Sequence, residues 1–306
     1  MASTPTAARL DGSFATAFAA LCLGAVAMGI SPIFVRFAAS EHVGPFASAF
    51  WRVALALPVL YAWMRYEESR APADAPRRSF TGAAVLAGLA FAGDLFFWHL
   101  SILGTTVANA TFFATTAPLF VVLMVWLVLR ERVTSATFVG LILCLLGGAS
   151  LIGQSVDVAP ERIRGDLFGI VTAVFFALYF LAIGRARGQA GAARVTFESS
   201  IVTTAVLLVV SVAIEGDIVP RTLPGLAALV AMAMISQVGG QGLLAVALGR
   251  LPPVFSSLVI FLEAVAAALF GWVILSEALT LVQALGGLLI LAGIWIARPR
   301  EEARQP

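Results

Sequence analysis

The chain has 306 residues, of which 60% are hydrophobic and 12% charged, with a net charge of +2. That is too apolar for a soluble domain of this size. The basic residues are all arginine and gather in short loops with no basic face or aromatic-interleaved patch, which excludes nucleic acid as a partner. Cys22 and Cys144 fall in separate apolar runs, so there is no disulfide framework or metal-ligand spacing, and no cofactor is expected.

Backbone amides cannot be left unpaired in hydrocarbon, so a chain like this crosses a bilayer as helices of about 20 residues or as a closed barrel. The apolar runs are long and do not alternate, which selects helices. In chain order they lie near 13–37, 45–65, 81–103, 107–129 and 135–153, then near 166–185, 196–214, 223–248, 254–275 and 281–297. The first is too long for the apolar core of a secretory signal and lacks a small-residue cleavage site, so it is read as a retained span. With the amino terminus inside, the inner segments hold fourteen arginines and the outer ones four, Arg36, Arg162, Arg164 and Arg221, leaving Arg52 within a span. The positive-inside rule then places both termini on the cytoplasmic side, and the expected location is an inner membrane.

A constant shift of 146 residues lays the end of one half on the other. Leu129, Glu131 and Thr134 fall on Leu275, Glu277 and Thr280, and Gly140 and Gly147 fall on Gly286 and Gly293. Five spans per copy is an odd number, so the copies must face opposite ways. The expected fold is therefore an all-α polytopic membrane protein, ten transmembrane helices as two inverted five-helix repeats. Residues 1–12 form a cytoplasmic tail, 13–153 the first repeat, 154–165 a periplasmic linker, 166–297 the second repeat and 298–306 a second tail.

Several local patterns point the same way. Pro45-Phe46 followed by Phe50-Trp51-Arg52, Ala117-Pro118, Leu129-Arg130-Glu131-Arg132 and Gly147-Gly148 mark the first copy. Gly165-Asp166, Ala247-Leu248, Leu262-Glu263, Leu275-Ser276-Glu277, Gly286-Gly287 and Gly293 mark the second. In these the chain resembles the drug/metabolite transporter superfamily, specifically its EamA type with two tandem domains. It departs from that pattern at Ala264, where the family often has proline. The resemblance implies export or exchange of a small molecule; the two-domain plan and aromatic-rich inner spans are most similar to bacterial amino-acid exporters.

Ionisable side chains in mid-membrane are costly and so are site candidates. Asp94 shares a helical stripe with Trp98 and Ser101, whereas His99 lies some 140° around the helix from Asp94, so only one of Asp94 and His99 faces a cavity, with Asp94 preferred. Glu263 shares a stripe with Ser256 and is able to carry a proton or meet a substrate ammonium; a helix-tying role is the alternative. Arg52 is placed to take a substrate carboxylate in a bidentate grip, or to serve structure. Gln237 and Gln241, four apart among glycines, either orient a substrate or tie helices together. Thr172, Phe176 and Tyr179 form a stripe in the sixth span, and Asn109, Phe112, Phe113 and Thr116 one in the fourth, as cavity wall or as packing. Gly29, Pro32, Pro58 and Pro118 suggest bends. The small-residue faces of the fifth and tenth spans suggest a scaffold or a dimer contact, and Glu131, Glu198 and Glu277 read as boundary residues.

The expected function is secondary transport of small metabolites, amino acids first, by alternating access, with possible proton coupling and as a monomer or homodimer in the lipid bilayer. Efflux of drugs or other metabolites is the second reading. An intramembrane enzyme is the third, disfavoured because no nucleophile–base pair, metal spacing or phosphate loop is present.

Overall fold

The computed structural model describes residues 6–72, 79–105, 107–128, 130, 133–152, 160–276 and 279–299. Among these, seven helices are long and apolar enough to cross a membrane and three shorter apolar helices complete ten spans, with no strand. Large apolar side chains such as Trp126, Val128, Val209, Leu223, Val273 and Trp295 point outward, as a lipid-facing surface requires.

Prolines break the spans where the sequence suggests bends. The first is interrupted between Thr6–Gly29 and Ser31–Ser40, ahead of Pro32. The second is split into Pro45–Ala54 and Leu57–Arg70 ahead of Pro58, and the fourth into Val107–Thr115 and Ala117–Leu127 ahead of Pro118. Each proline opens a new helix, where its missing N–H costs nothing. The ninth span breaks too, between Pro253–Val259 and Leu262–Leu275, although the residue equivalent to Pro118 is Ala264. The eighth span carries a π-helical stretch, Met232–Gln241.

Helices overrun several expected limits. The first begins at Thr6, within the segment read as a tail, the sixth (Ile163–Arg187) begins inside the expected linker, and the second continues to Arg70. Hydrophobicity locates the hydrocarbon slab, not the ends of helices, and good helix formers such as Ala7, Ala8 and Leu10 carry the helix past it. Glu131 and Glu277, read as boundary residues, lie outside the described residues.

Packing obeys an internal two-fold. The fifth span (Ser135–Ile152) lies along the tenth (Leu281–Ala297), the third (Gly82–Gly104) packs on the sixth, and the first packs on the eighth in the equivalent way. The fifth–tenth seam shows the antiparallel relation directly. A methyl group added at Gly140 would fall 2.6 Å from the Gly293 carbonyl oxygen, and one at Gly147 would fall 2.5 Å from that of Gly286. Between them the Cys144 thiol points at the carbonyl of Ile290, its own equivalent, at 3.7 Å. The small-residue faces of the fifth and tenth spans thus pack on each other within one chain.

Candidate functional site

Near the middle of the bundle, where both halves meet, a cavity of about 770 Å³, its open mouth included, is lined by Arg52, Asp94, Glu263 and Gln241. Its apolar wall comes from Met28, Phe91, Leu95, Trp98, Phe176 and Ile260, and Ser31, Thr115 and Thr172 add hydroxyls. The broken spans create it. The interruptions before Pro32 and Pro118 and at Ile260 fall at its edge, where the chain departs from straight helix and leaves room.

Arg52 is buried, and its Nη1 donates to Ser31 Oγ at 3.2 Å while its Nε–H has no partner. Its guanidinium carbon lies 5.8 Å from the centre of the Phe91 ring, within cation–π range. Glu263 and Asp94 line the same cavity as the guanidinium. Among the described residues no ion pair joins Arg52 to either carboxylate, so the three charges surround the cavity without closing on one another. Tyr179 holds the wall from behind: Phe91 stacks on its ring at 4.7 Å, and its hydroxyl donates to Gln241 Oε1 at 2.9 Å. The Gln241 amide nitrogen in turn approaches Met28 Sδ at 3.2 Å.

The structure therefore brings together seven of the expected residues, Arg52, Asp94, Trp98, Thr172, Phe176, Gln241 and Glu263, with Tyr179 behind Gln241. It does not bring the others. His99 is buried away from the cavity against Phe46 and Trp98, its Nδ1–H on the Leu95 carbonyl at 2.6 Å, so Asp94 is the residue of that pair that faces inward. Gln237 is buried on Ser200 at 3.3 Å and does not line the space. The π-helical turn is wider than an α turn, so residues four apart no longer stack, and Gln237 and Gln241 part company. Ser256 is buried without reaching the cavity, because the break at Ile260 cuts the stripe that would align it with Glu263. Phe112 packs with Phe113 at 5.4 Å outside the lining. Asn109 lies on the fourth span, but its side chain is outside the described residues. Sequence reading missed Met28, Ser31, Phe91, Thr115 and Ile260 as lining; Pro32 and Pro118 were the available signal, read only as hinges.

Glu198 is buried and does not line the cavity. It accepts from Ser79 Oγ and from the Phe80 amide, both at 2.7 Å, and from Arg194 at 3.1 Å, tying the loop between the second and third spans to the seventh.

The two ends of the bundle differ. At the end bearing Glu67, Pro253–Val259 of the ninth span packs on Ala117–Leu127 of the fourth. The equivalent pair at the end bearing Glu215, Val107–Thr115 and Leu262–Leu275, makes no comparable contact among the described residues. The cavity lies in that gap, with Ala114 and Thr115 on one side and Glu263 on the other.

A solved crystal structure with 19% sequence identity superposes with a TM-score of 0.77 over 94% of this chain and 96% of that one, which shows the fold. Two proteins of Archaeoglobus fulgidus, each described as an uncharacterized transporter, are 28% and 22% identical. The first match covers 91% of this chain and 95% of the relative, the second 88% and 92%. The model of the EamA-like transporter family matches residues 15–152 and again 163–298. With both repeats matched, the chain belongs to the EamA-like transporter family and is a multi-pass membrane transporter of the drug/metabolite transporter superfamily.

Proposed function

We propose that the protein moves small zwitterionic metabolites, amino acids with neutral or aromatic side chains first among them, by alternating access around the cavity. The observation that carries this reading is one guanidinium and two carboxylates lining a space otherwise walled by apolar side chains. Arg52 offers unpaired N–H groups to a substrate carboxylate, the acidic pair offers a place for an ammonium, and Phe91, Trp98 and Phe176 suit an apolar side chain. With all three charged, the cavity carries a net charge of −1, which hydrocarbon disfavours. One proton shared between Asp94 and Glu263 neutralises it, so proton movement coupled to substrate movement belongs to the same reading. The gap between the fourth and ninth spans at one end, closed at the other, supports a carrier that exposes its site to one face at a time.

The test is counterflow of labelled amino acids into liposomes holding the purified chain, with aromatic, aliphatic, acidic and basic members as competitors. Neutral and aromatic amino acids are expected to exchange. Absence of flux for every amino acid, with cationic or phosphorylated compounds moving instead, would replace this reading with efflux of other metabolites or drugs.

A further inference from the structure

Two glutamates at opposite ends of the bundle do the same job. Glu215, the last residue of the seventh span, accepts from the amides of Phe46 and Ala47 at the start of the second span, at 2.8 Å each. Glu67, in the last turns of the second span, accepts from the amides of Ala192 and Ala193 at the start of the seventh, at 3.1 Å each. The four amides are equivalent under the 146-residue shift, since Phe46 and Ala47 fall on Ala192 and Ala193. Neither helix has a side-chain cap of its own, because the N-cap residues are Gly44 and Gly191. Glycine leaves room for the carboxylates: a methyl group at Gly44 would fall 2.4 Å from Glu215 Cδ and one at Gly191 would fall 2.2 Å from a Glu67 oxygen, so the glutamate would have to shift off its amides. The second and seventh spans thus run antiparallel, each closing the other's open amides with a charge-assisted bidentate bond.

We propose that Glu67 and Glu215 are positioning residues that hold these spans as a fixed axle through the whole transport cycle. The proposal rests on the alternating-access reading. In an inverted repeat, exchanging the conformations of the two halves turns a state open at one end into a state open at the other. That exchange carries the amides capped by Glu215 onto those capped by Glu67, the two glutamates themselves standing two residues apart in register, since Glu215 falls on Ser69. Both caps are formed here, in a conformation whose two ends otherwise differ, so both are formed in the opposite state as well. The packing of Pro253–Val259 on Ala117–Leu127, which has no mate at the other end, is by the same argument what must open and re-form. Arg52 lies six residues, about 9 Å at 1.5 Å per residue, from Phe46, so it is stationary while the fourth and ninth spans move past it.

Amide hydrogen exchange on the full chain in lipid nanodiscs tests this without a substrate. Peptides holding residues 46–47 and 192–193 are expected to exchange slowly, alike and as one population. Glu215→Gln should speed the first pair alone by about tenfold and Glu67→Gln the second pair alone. One pair fast or split into two populations while the other stays protected would overturn the axle, as would either substitution loosening both ends. A second measurement uses Gly44→Cys with Glu215→Cys, and Gly191→Cys with Glu67→Cys, in a chain with Cys22→Ala and Cys144→Ala. Each pair should form a disulfide, and amino-acid counterflow in the oxidised protein should stay within about twofold of the reduced protein. Failure of the thiols to pair, or a tenfold loss restored by reduction, would count against the proposal. If the cysteine-free parent moves no amino acid, the substrate reading has failed, and the exchange measurement alone decides the axle.

Discussion

Arg52 is where a substitution should separate the proposed chemistry from mere packing. Among the described residues its guanidinium makes one hydrogen bond to a protein group, Ser31 Oγ, and its Nε–H has none, so at least two N–H groups are available to a bound carboxylate. A hydrogen bond to a charged group is worth about 1.5–3 kcal/mol, and a bidentate pair in a cavity shielded from water loses part of its sum to desolvation, leaving about 2–3 kcal/mol. At 1.4 kcal/mol per tenfold, Arg52→Gln should weaken half-saturation for a neutral amino acid by about 30- to 150-fold. Arg52→Lys keeps the charge and loses the fork, and should fall between, near tenfold. The assay is concentration-dependent counterflow in liposomes, with monodispersity in detergent to verify folding, and the amine analogue without its carboxylate as control. That analogue should be transported alike by parent and variant. Unchanged half-saturation for the amino acid in well-folded Arg52→Gln protein would refute the assignment, and a uniform loss for both compounds would reduce Arg52 to a structural residue.

Glu263→Gln and Asp94→Asn should each retain measurable counterflow at matched pH, while at least one abolishes accumulation driven by an imposed pH gradient, read by internal label; gradient-driven uptake intact in both would exclude these carboxylates as the coupling pair. His99→Phe should leave flux within about threefold of the parent, because the ring packs away from the cavity. Gly147→Leu should destabilise the fold by at least about 1–3 kcal/mol, the range of core overpacking, since even its Cβ would meet the Gly286 carbonyl at 2.5 Å. It should lower the temperature of detergent-phase unfolding, whereas Leu288→Ala on the exposed face should not. Trp98→Ala should raise half-saturation for aromatic amino acids more than for alanine, as measured by competition.

The spans, the inverted repeat and much of the cavity were legible because each rests on a local or periodic signal. Runs of apolar residues mark the hydrocarbon, Pro32, Pro58 and Pro118 mark bends, and a lone charge such as Arg52, Asp94 or Glu263 is conspicuous among apolar neighbours. Features that depend on distant partners were not legible. Glu67 and Glu215 cap helices more than a hundred residues away, and a glycine at the N-cap gives none of the usual Ser, Thr or Asp signature. The π-helical turn of the eighth span has no sequence pattern of its own, so the helical-wheel pairing of Gln237 with Gln241 failed there. The ninth span bends without a proline, which broke the stripe joining Ser256 to Glu263. Asp94 and His99 were separable only as alternatives, and the packing of His99 on Phe46 settles which side chain reaches the cavity.

The account depends most on the two halves being inserted upside down relative to each other. Ser135 and Leu281 open the fifth and tenth spans, are equivalent under the 146-residue shift and are both exposed. Single cysteines at these positions, in a chain freed of Cys22 and Cys144, can be probed in sealed vesicles with a membrane-impermeant maleimide before and after permeabilisation. The account predicts that one site labels from the outside and the other only after permeabilisation; labelling of both from the same side would contradict it.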